Sequence, residues 1–184
     1  MTHPSVVYWS MPTPQIDPQA WLHPSVWVGS GSVVWGLARI HADVHLGTSV
    51  SVGELTYIGR GAHIGDSTRI SACCYLVDHI TVGERVFFGP CVVTTNDRHP
   101  VVNNPYFKRE SPIIEDDVSI GANATILPGV RLGRGCKIEA GAVVTRDVPA
   151  YETWAGNPAQ RLYPAVDLTR THLDDSMMCE AGPS

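Results

Sequence analysis

Two histidines next to carboxylates carry the chemistry this sequence can be read for: His99, in the run Thr95-Asn96-Asp97-Arg98-His99-Pro100, and His79, directly after Asp78. An imidazole titrating near neutrality can take up and release a proton, and a neighbouring carboxylate can orient it. Such a group suits a reaction in which an amine or a hydroxyl attacks a carbonyl and loses its proton. A sugar hydroxyl is so weakly acidic that a placed general base is nearly obligatory, whereas an amine must only be neutral when it attacks. His99, His79 and Asp78 are therefore the catalytic candidates. Asn96, Asp97, Arg98 and Tyr106, with Asn103, Asn104, Lys108 and Arg109 close by, supply hydrogen-bonding groups for a polar acceptor. All but His79 and Asp78 fall within residues 94–113, a stretch too long and too irregular to be a simple connection, and such loops usually carry function.

The elements that must position these residues are written in a period of six. Ile16, Leu22, Val28, Val34, Ile40, Leu46, Val52, Ile58, Ile64, Ile70, Leu76, Val82 and Phe88 form one series. The series breaks at Thr94 and resumes at Ile114, Ile120, Ile126, Leu132, Ile138 and Val144. Four residues after each anchor stands a small or β-branched side chain, Ile80 being the largest. Neither a helix, with its repeat near 3.6, nor an alternating strand produces this spacing; a coil of short strands and tight turns does. Gly, Asp and Asn recur at the corners, where left-handed or self-bonding backbone is needed. Three hexads per triangular coil give about six coils of an all-β, parallel β-helix interrupted by one extruded loop.

The pattern resembles the hexapeptide-repeat acyltransferases, whose signature is an aliphatic residue, Gly/Ala/Asp/Glu, two free positions, a small residue and one free position. That resemblance implies a left-handed helix and a homotrimer with active sites between subunits. Phe87-Phe88-Gly89-Pro90 followed by Thr95 to Pro100, with Val34-Trp35 and the stretch 38–47, looks like the nucleotide-sugar N-acyltransferases. In that subfamily the loop Asn and its acidic neighbour hold the sugar, which implies Asn96 and Asp97 here. His99-Pro100 is also similar to the His-Pro of the galactoside and maltose O-acetyltransferases, where the histidine is the base. Leu76-Val77-Asp78-His79 resembles both the Val-Asp of those enzymes and the acid-His pair of bacillosamine and sialic acid acetyltransferases. Near the C-terminus, the run from Ile138 to Pro149 leading into Trp154-Ala155-Gly156-Asn157-Pro158-Ala159 is similar to the end of the acyl-CoA-dependent enzymes. The resemblance implies acetyl-CoA as donor. Ala122, Ala140, Ala142, Gly156, Asn157 and Pro158 would lie along the pantetheine, and Arg146 and Arg161 would meet its phosphates through guanidinium forks.

Composition narrows the remaining classes. A net charge of −5 argues against nucleic acid or an anionic membrane as partner, and no apolar run approaches a membrane span. A short N-terminal extension rich in proline lacks the basic start of a signal peptide, so a cytoplasmic location is expected. The expected organisation is an N-terminal extension 1–15, a repeat domain 16–163 with its loop at 94–113, and a C-terminal tail 164–184 that includes a short helix or frayed end. The five cysteines show no metal-ligand spacing; Cys74 and Cys136 take the small inward position, while Cys73 and Cys91 sit at corners. His23 and His41, and likewise His45 and His63, are eighteen residues apart and stack on successive coils. No metal is expected there, although the γ-carbonic anhydrases use this fold. The expected activity is acetyl transfer from acetyl-CoA to the amino group of a nucleotide-linked amino sugar. O-acetylation of a sugar or small hydroxylated acceptor is the alternative, with a metalloenzyme or a non-catalytic scaffold less favoured.

Overall fold

The computed structural model describes residues 12–164; the expected C-terminal helix and most of the N-terminal extension lie outside these residues. Each anchor becomes the second residue of a two-residue strand, starting with β1 (Gln15–Ile16), β2 (Trp21–Leu22) and β3 (Trp27–Val28). Among the described residues there is no helix. Every third strand pairs in parallel, so the chain coils around three sheets of nine, seven and six strands. We call them faces A, B and C, beginning with β1, β2 and β3 respectively. The register advances eighteen residues per coil, with Gln15 beside Val33 and Trp21 beside Arg39. The arrangement fits a left-handed β-helix.

The stack is taller than six coils. Face A holds eight parallel rungs, because β21 (Glu152–Ala155) pairs with β19 (Lys137–Ile138) before β22 (Gln160–Pro164) folds back antiparallel. Trp154 then fills the inward position beside Ile138, and it is buried. The hexad count missed this rung because the turn before it is irregular, so Trp154 pairs with Ile138 out of phase with the eighteen-residue advance. It missed another at β14 (Val93–Thr94), where Thr94 is fully buried. Thr94 Oγ1 donates to the Tyr75 carbonyl at 3.2 Å and accepts from the Val77 amide at 3.0 Å, so a hydroxyl sits in the core without cost to its hydrogen bonding. The coil therefore continues through Thr94, and the excursion runs from 95 to 112.

Ser32, Thr56 and Thr68 use the same device at the small inward position. Ser32 Oγ donates to the Gly47 carbonyl at 2.8 Å and accepts from the Val50 amide at 2.9 Å, tying each rung to the next. Between these hydroxyls the aliphatic anchors from Val34 to Val144 stack with almost no solvent exposure. Each buried Ile or Leu contributes about 1.5–3 kcal/mol by leaving water. At the corners the next rung approaches so closely that a Cβ at Gly83 would fall 2.3 Å from Asp116 Oδ1.

Candidate active site at the loop-bearing edge

The prism has three edges, and the candidate residues gather on the one between faces B and C. Its corners are 23–26, 41–44, 59–62, 77–80, the excursion 95–112, 127–130 and 145–148. His79 is the left-handed residue of its corner, with φ 56°, and its ring lies against the Gly61 corner one rung below. A Cβ on Gly61, itself at φ 65°, would come within 2.6 Å of His79 Cε1 and Nδ1. The imidazole thus needs the bare glycine beneath it, and it remains exposed on the edge.

Asp78 is engaged in the turn. Its Oδ1 accepts from the Arg60 amide at 2.9 Å, as Asp66 Oδ1 does from Thr48 at 2.7 Å and Asp116 Oδ1 from Glu84 at 3.0 Å. The repeated geometry shows a corner-bonding role for this oxygen, and no hydrogen bond joins Asp78 to the His79 ring.

The excursion is fastened directly above. Ser111 Oγ donates to the Asp78 carbonyl at 2.6 Å, which roots the returning limb beside His79. The Glu110 amide donates to the Asn96 carbonyl at 2.9 Å, closing the neck of the loop, and the Gly129 amide donates to the Glu110 carbonyl at 2.7 Å. Arg98 completes the clamp, with Nε donating to Glu110 Oε2 at 2.9 Å and an η-nitrogen donating to the Pro128 carbonyl at 2.8 Å. The hydrogen bond from Arg98 holds the Glu110 carboxyl below its ordinary range. Sequence reading missed Glu110 and Ser111, since neither stands at a repeat position or in a recognisable motif.

Within the loop, Asp97 Oδ1 accepts from the His99 amide at 2.9 Å, and the His99 carbonyl accepts from Asn104 Nδ2 at 3.2 Å. The backbone of His99 is thereby fixed on both sides while its ring stays in solvent. The loop tip is apolar and open: Val102 and Tyr106 are each 88% exposed. Tyr106 thus points away from the clamp, and Arg98 is occupied by it.

Arg98 also lines a cleft of about 500 Å³ with Pro128, Gly129, Thr145, Arg146 and Asp147, which places two guanidiniums along one opening. Arg146 donates to Gln160 Oε1 at 2.8 Å, and its guanidinium carbon lies 5.1 Å from the centre of the Trp154 ring. The other donor-site candidates are dispersed. Ala122 and Ala140 lie on the edge between faces A and B, and Arg161 pairs with Glu152 at 3.2 Å. Gly156, Asn157 and Pro158 form an exposed turn, with a cis Asn157-Pro158 bond, held over β20 (Val143–Val144). The hold is a hydrogen bond from the Val143 amide to the Gly156 carbonyl at 2.9 Å. Ala142 is fully buried at a small inward position, so its methyl belongs to the core and is out of reach of a ligand.

Of the paired histidines, His23 and His41 lie on this same edge nearer the N-terminus, where Trp21 rather than the other imidazole is a ring neighbour of each, with centres 6.4 and 5.4 Å apart. On face C the rings of His45 and His63 lie 4.8 Å apart at 15°, with Trp27 stacked on His45 at 4.1 Å. Burial is the main cause that lowers the His45 pKa, followed by the charge of His63. Among the described residues no three His, Cys, Asp or Glu side chains converge as metal ligands would.

A repeat of six, a triangular β-solenoid and a long loop on one edge define the class of fold, which is that of the hexapeptide-repeat acetyltransferases. The family described as hexapeptide repeat of succinyl-transferase matches residues 113–146. The chain is 44% identical over 91 residues to a Staphylococcus aureus 2,3,4,5-tetrahydropyridine-2,6-dicarboxylate N-acetyltransferase. That match covers 50% of this chain and 36% of the relative, so the chain spans little more than a third of such proteins. A hexapeptide-repeat acetyltransferase from Vibrio cholerae superposes with a TM-score of 0.57 at 28% identity, covering 76% of this chain and 74% of that one. Its complex with acetyl coenzyme A superposes at 0.54 with the same identity, covering 63% and 71%. A maltose O-acetyltransferase from Clostridium difficile shares the fold, with a TM-score of 0.55 at 24% identity over 64% of this chain and 67% of that one.

Proposed function

We propose that the protein is an acetyl-CoA-dependent acetyltransferase that acylates an amine, and that its acceptor is an amino sugar carried on a nucleoside diphosphate. The observation that carries this reading is the clamped excursion. It holds His99 on the same edge as His79 and the two-arginine cleft, so an acceptor, a base and an anionic donor can meet. The Vibrio cholerae acetyltransferase binding acetyl coenzyme A supports the donor. The N-acetyltransferase relatives support an amine over a hydroxyl.

In this mechanism the acceptor nitrogen attacks the thioester carbonyl and forms a tetrahedral intermediate. Backbone amides along the edge stabilise its oxyanion. His99 takes the proton from the ammonium that develops, and collapse expels the CoA thiolate, which is then protonated. Arg98 holds the loop neck, while Asn96, Asp97 and Tyr106 face the acceptor. Arg146, with Arg161 further along, meets the donor phosphates, and Ala122, Ala140 and the turn at Gly156, Asn157 and Pro158 leave room for the pantetheine. The unit we propose is a homotrimer, in which the apolar loop tip at Val102 and Tyr106 rests on a neighbouring copy.

The test is release of CoA thiol from acetyl-CoA with amino sugars, their nucleotide-linked forms and matching hydroxy sugars as acceptors. Turnover with nucleotide-linked amines is expected. Turnover with hydroxyl acceptors alone would overturn the amine assignment, and no turnover with any acceptor together with no CoA binding would overturn the enzyme.

A further inference from the structure

The edge between faces A and B carries an unusual pair. Its corner residues at left-handed φ include Leu37, Leu55, Cys73, Cys91, Asn123 and Gly141, so Cys73 and Cys91 hold equivalent places on adjacent rungs. Both have φ 61°, both are exposed, and both are free thiols. The register is fixed on each side of them. The Cys91 amide donates to the Ala72 carbonyl at 3.0 Å, and Tyr75 stands beside Val93 two residues later. Rungs of a parallel sheet are about 4.8 Å apart. Two corners of identical backbone conformation at that spacing bring their Cα atoms within the roughly 4.4–6.8 Å range of a disulfide. The neighbouring Cys74 is excluded from such chemistry: it points into the core, its Sγ lies 3.2 Å from the Gly89 carbonyl, and burial pushes its thiol up to about 11.

We infer that Cys73 and Cys91 form a reversible disulfide across adjacent rungs. The oxidant is a low-molecular-weight disulfide. The thiolate of one cysteine attacks it and expels one small thiol, leaving a mixed disulfide on the protein. The second thiolate then attacks the protein sulfur of that bond and expels the other small thiol. Two electrons pass to the oxidant, and the protons lost by the cysteines end on the two small thiols. The consequence for the site is direct. The rung of Cys73 carries Asp78 and His79, and the rung of Cys91 carries the excursion with His99. The bond pins together, on the far side of face B, the two rungs that must keep their register for the candidate bases to stay aligned.

The experiment treats the native full-length protein with oxidised glutathione and maps its peptides by mass spectrometry, with Cys73→Ser and Cys91→Ser run in parallel. We expect a single peptide linking Cys73 to Cys91, reversed by dithiothreitol. In each variant the remaining corner cysteine should instead keep a glutathione adduct. Separate glutathione adducts on both cysteines of the native protein, a disulfide between two chains, or no reaction at either position would each overturn the inference. The readout is independent of acetyl transfer, so its failure leaves the proposed activity untouched.

Discussion

Two edges of the prism use the same backbone and the same kinds of side chain to different ends. On the edge between faces C and A, the charged corner residues satisfy one another. Arg85 pairs with Asp117 and Glu84, each at 2.6 Å, and Arg134 pairs with Asp116 at 2.6 Å. Glu115 accepts from the Arg134 amide at 2.7 Å and also binds Arg131, and both hold its carboxyl below the ordinary range. On the edge between faces B and C, by contrast, the left-handed corner positions go to Asp43, Gly61, His79 and Gly129, with an eighteen-residue excursion between the last two. Among the described residues no side-chain hydrogen bond holds the His79 or His99 ring there, and the ion pair of Arg98 with Glu110 closes the neck of a loop. A charged residue at a hexad corner is therefore weak evidence of function. A titratable side chain left out of the corner's own bonding is stronger evidence.

The largest effect that would sharpen this contrast is expected from His99→Ala. Turnover should fall by roughly 10² to 10⁴, the usual worth of a placed general base, while the melting temperature stays nearly unchanged because His99 is exposed. Steady-state CoA release and a thermal melt check both halves, and normal turnover would transfer the base to His79. Next comes Arg98→Ala, which removes the clamp without touching the proposed reacting atoms. A loop displaced by about an ångström can cost up to ~10²-fold in rate, so kcat/KM should drop by about ten- to a hundredfold with the fold intact.

On the opposite edge, Arg134→Ala should leave activity within about twofold and cost no more than ~1 kcal/mol, since exposed ion pairs contribute little and are screened by salt. Denaturant melts at low and high ionic strength test this. A larger loss of activity there than at Arg98 would erase the distinction between the edges.

The smallest effect is a pH dependence of the loop neck. Because Arg98 lowers the Glu110 pKa in the folded protein, the pair's contribution is complete above the carboxyl's ordinary value of 4.5 and is lost as pH falls through the depressed one. The neck should therefore hold through neutral and mildly acid conditions and open only in stronger acid. Pepsin cleavage within 95–112, followed against pH, should rise there. In Glu110→Gln it should be high throughout.

The fold was legible because the aliphatic anchors repeat without exception until a rung uses a different solution. Thr94 ended the series on paper because hydropathy ignores a hydroxyl bonded on both sides by backbone, and Trp154 lay outside it because the last rung follows an irregular turn. His79 and His99 were visible as residue types, and their shared edge followed once the loop was known to leave the corner above His79. The clamp could not be read. Arg98 and Glu110 are twelve residues apart in a segment without periodicity, and Ser111 meets Asp78 across thirty-three residues. Asp78 was credited with orienting a histidine because a carboxylate beside an imidazole suggests it. The corner of a hexad offers that carboxylate a backbone amide first.

Hydrogen–deuterium exchange with and without CoA tests the central claim most directly, because both edges are read in one experiment. Slower exchange is expected at the loop neck 95–98 and at corners 128–130 and 145–147, with no change at 83–86 or 115–117. Protection confined to the ion-paired corners, with the loop neck unaffected, would contradict it.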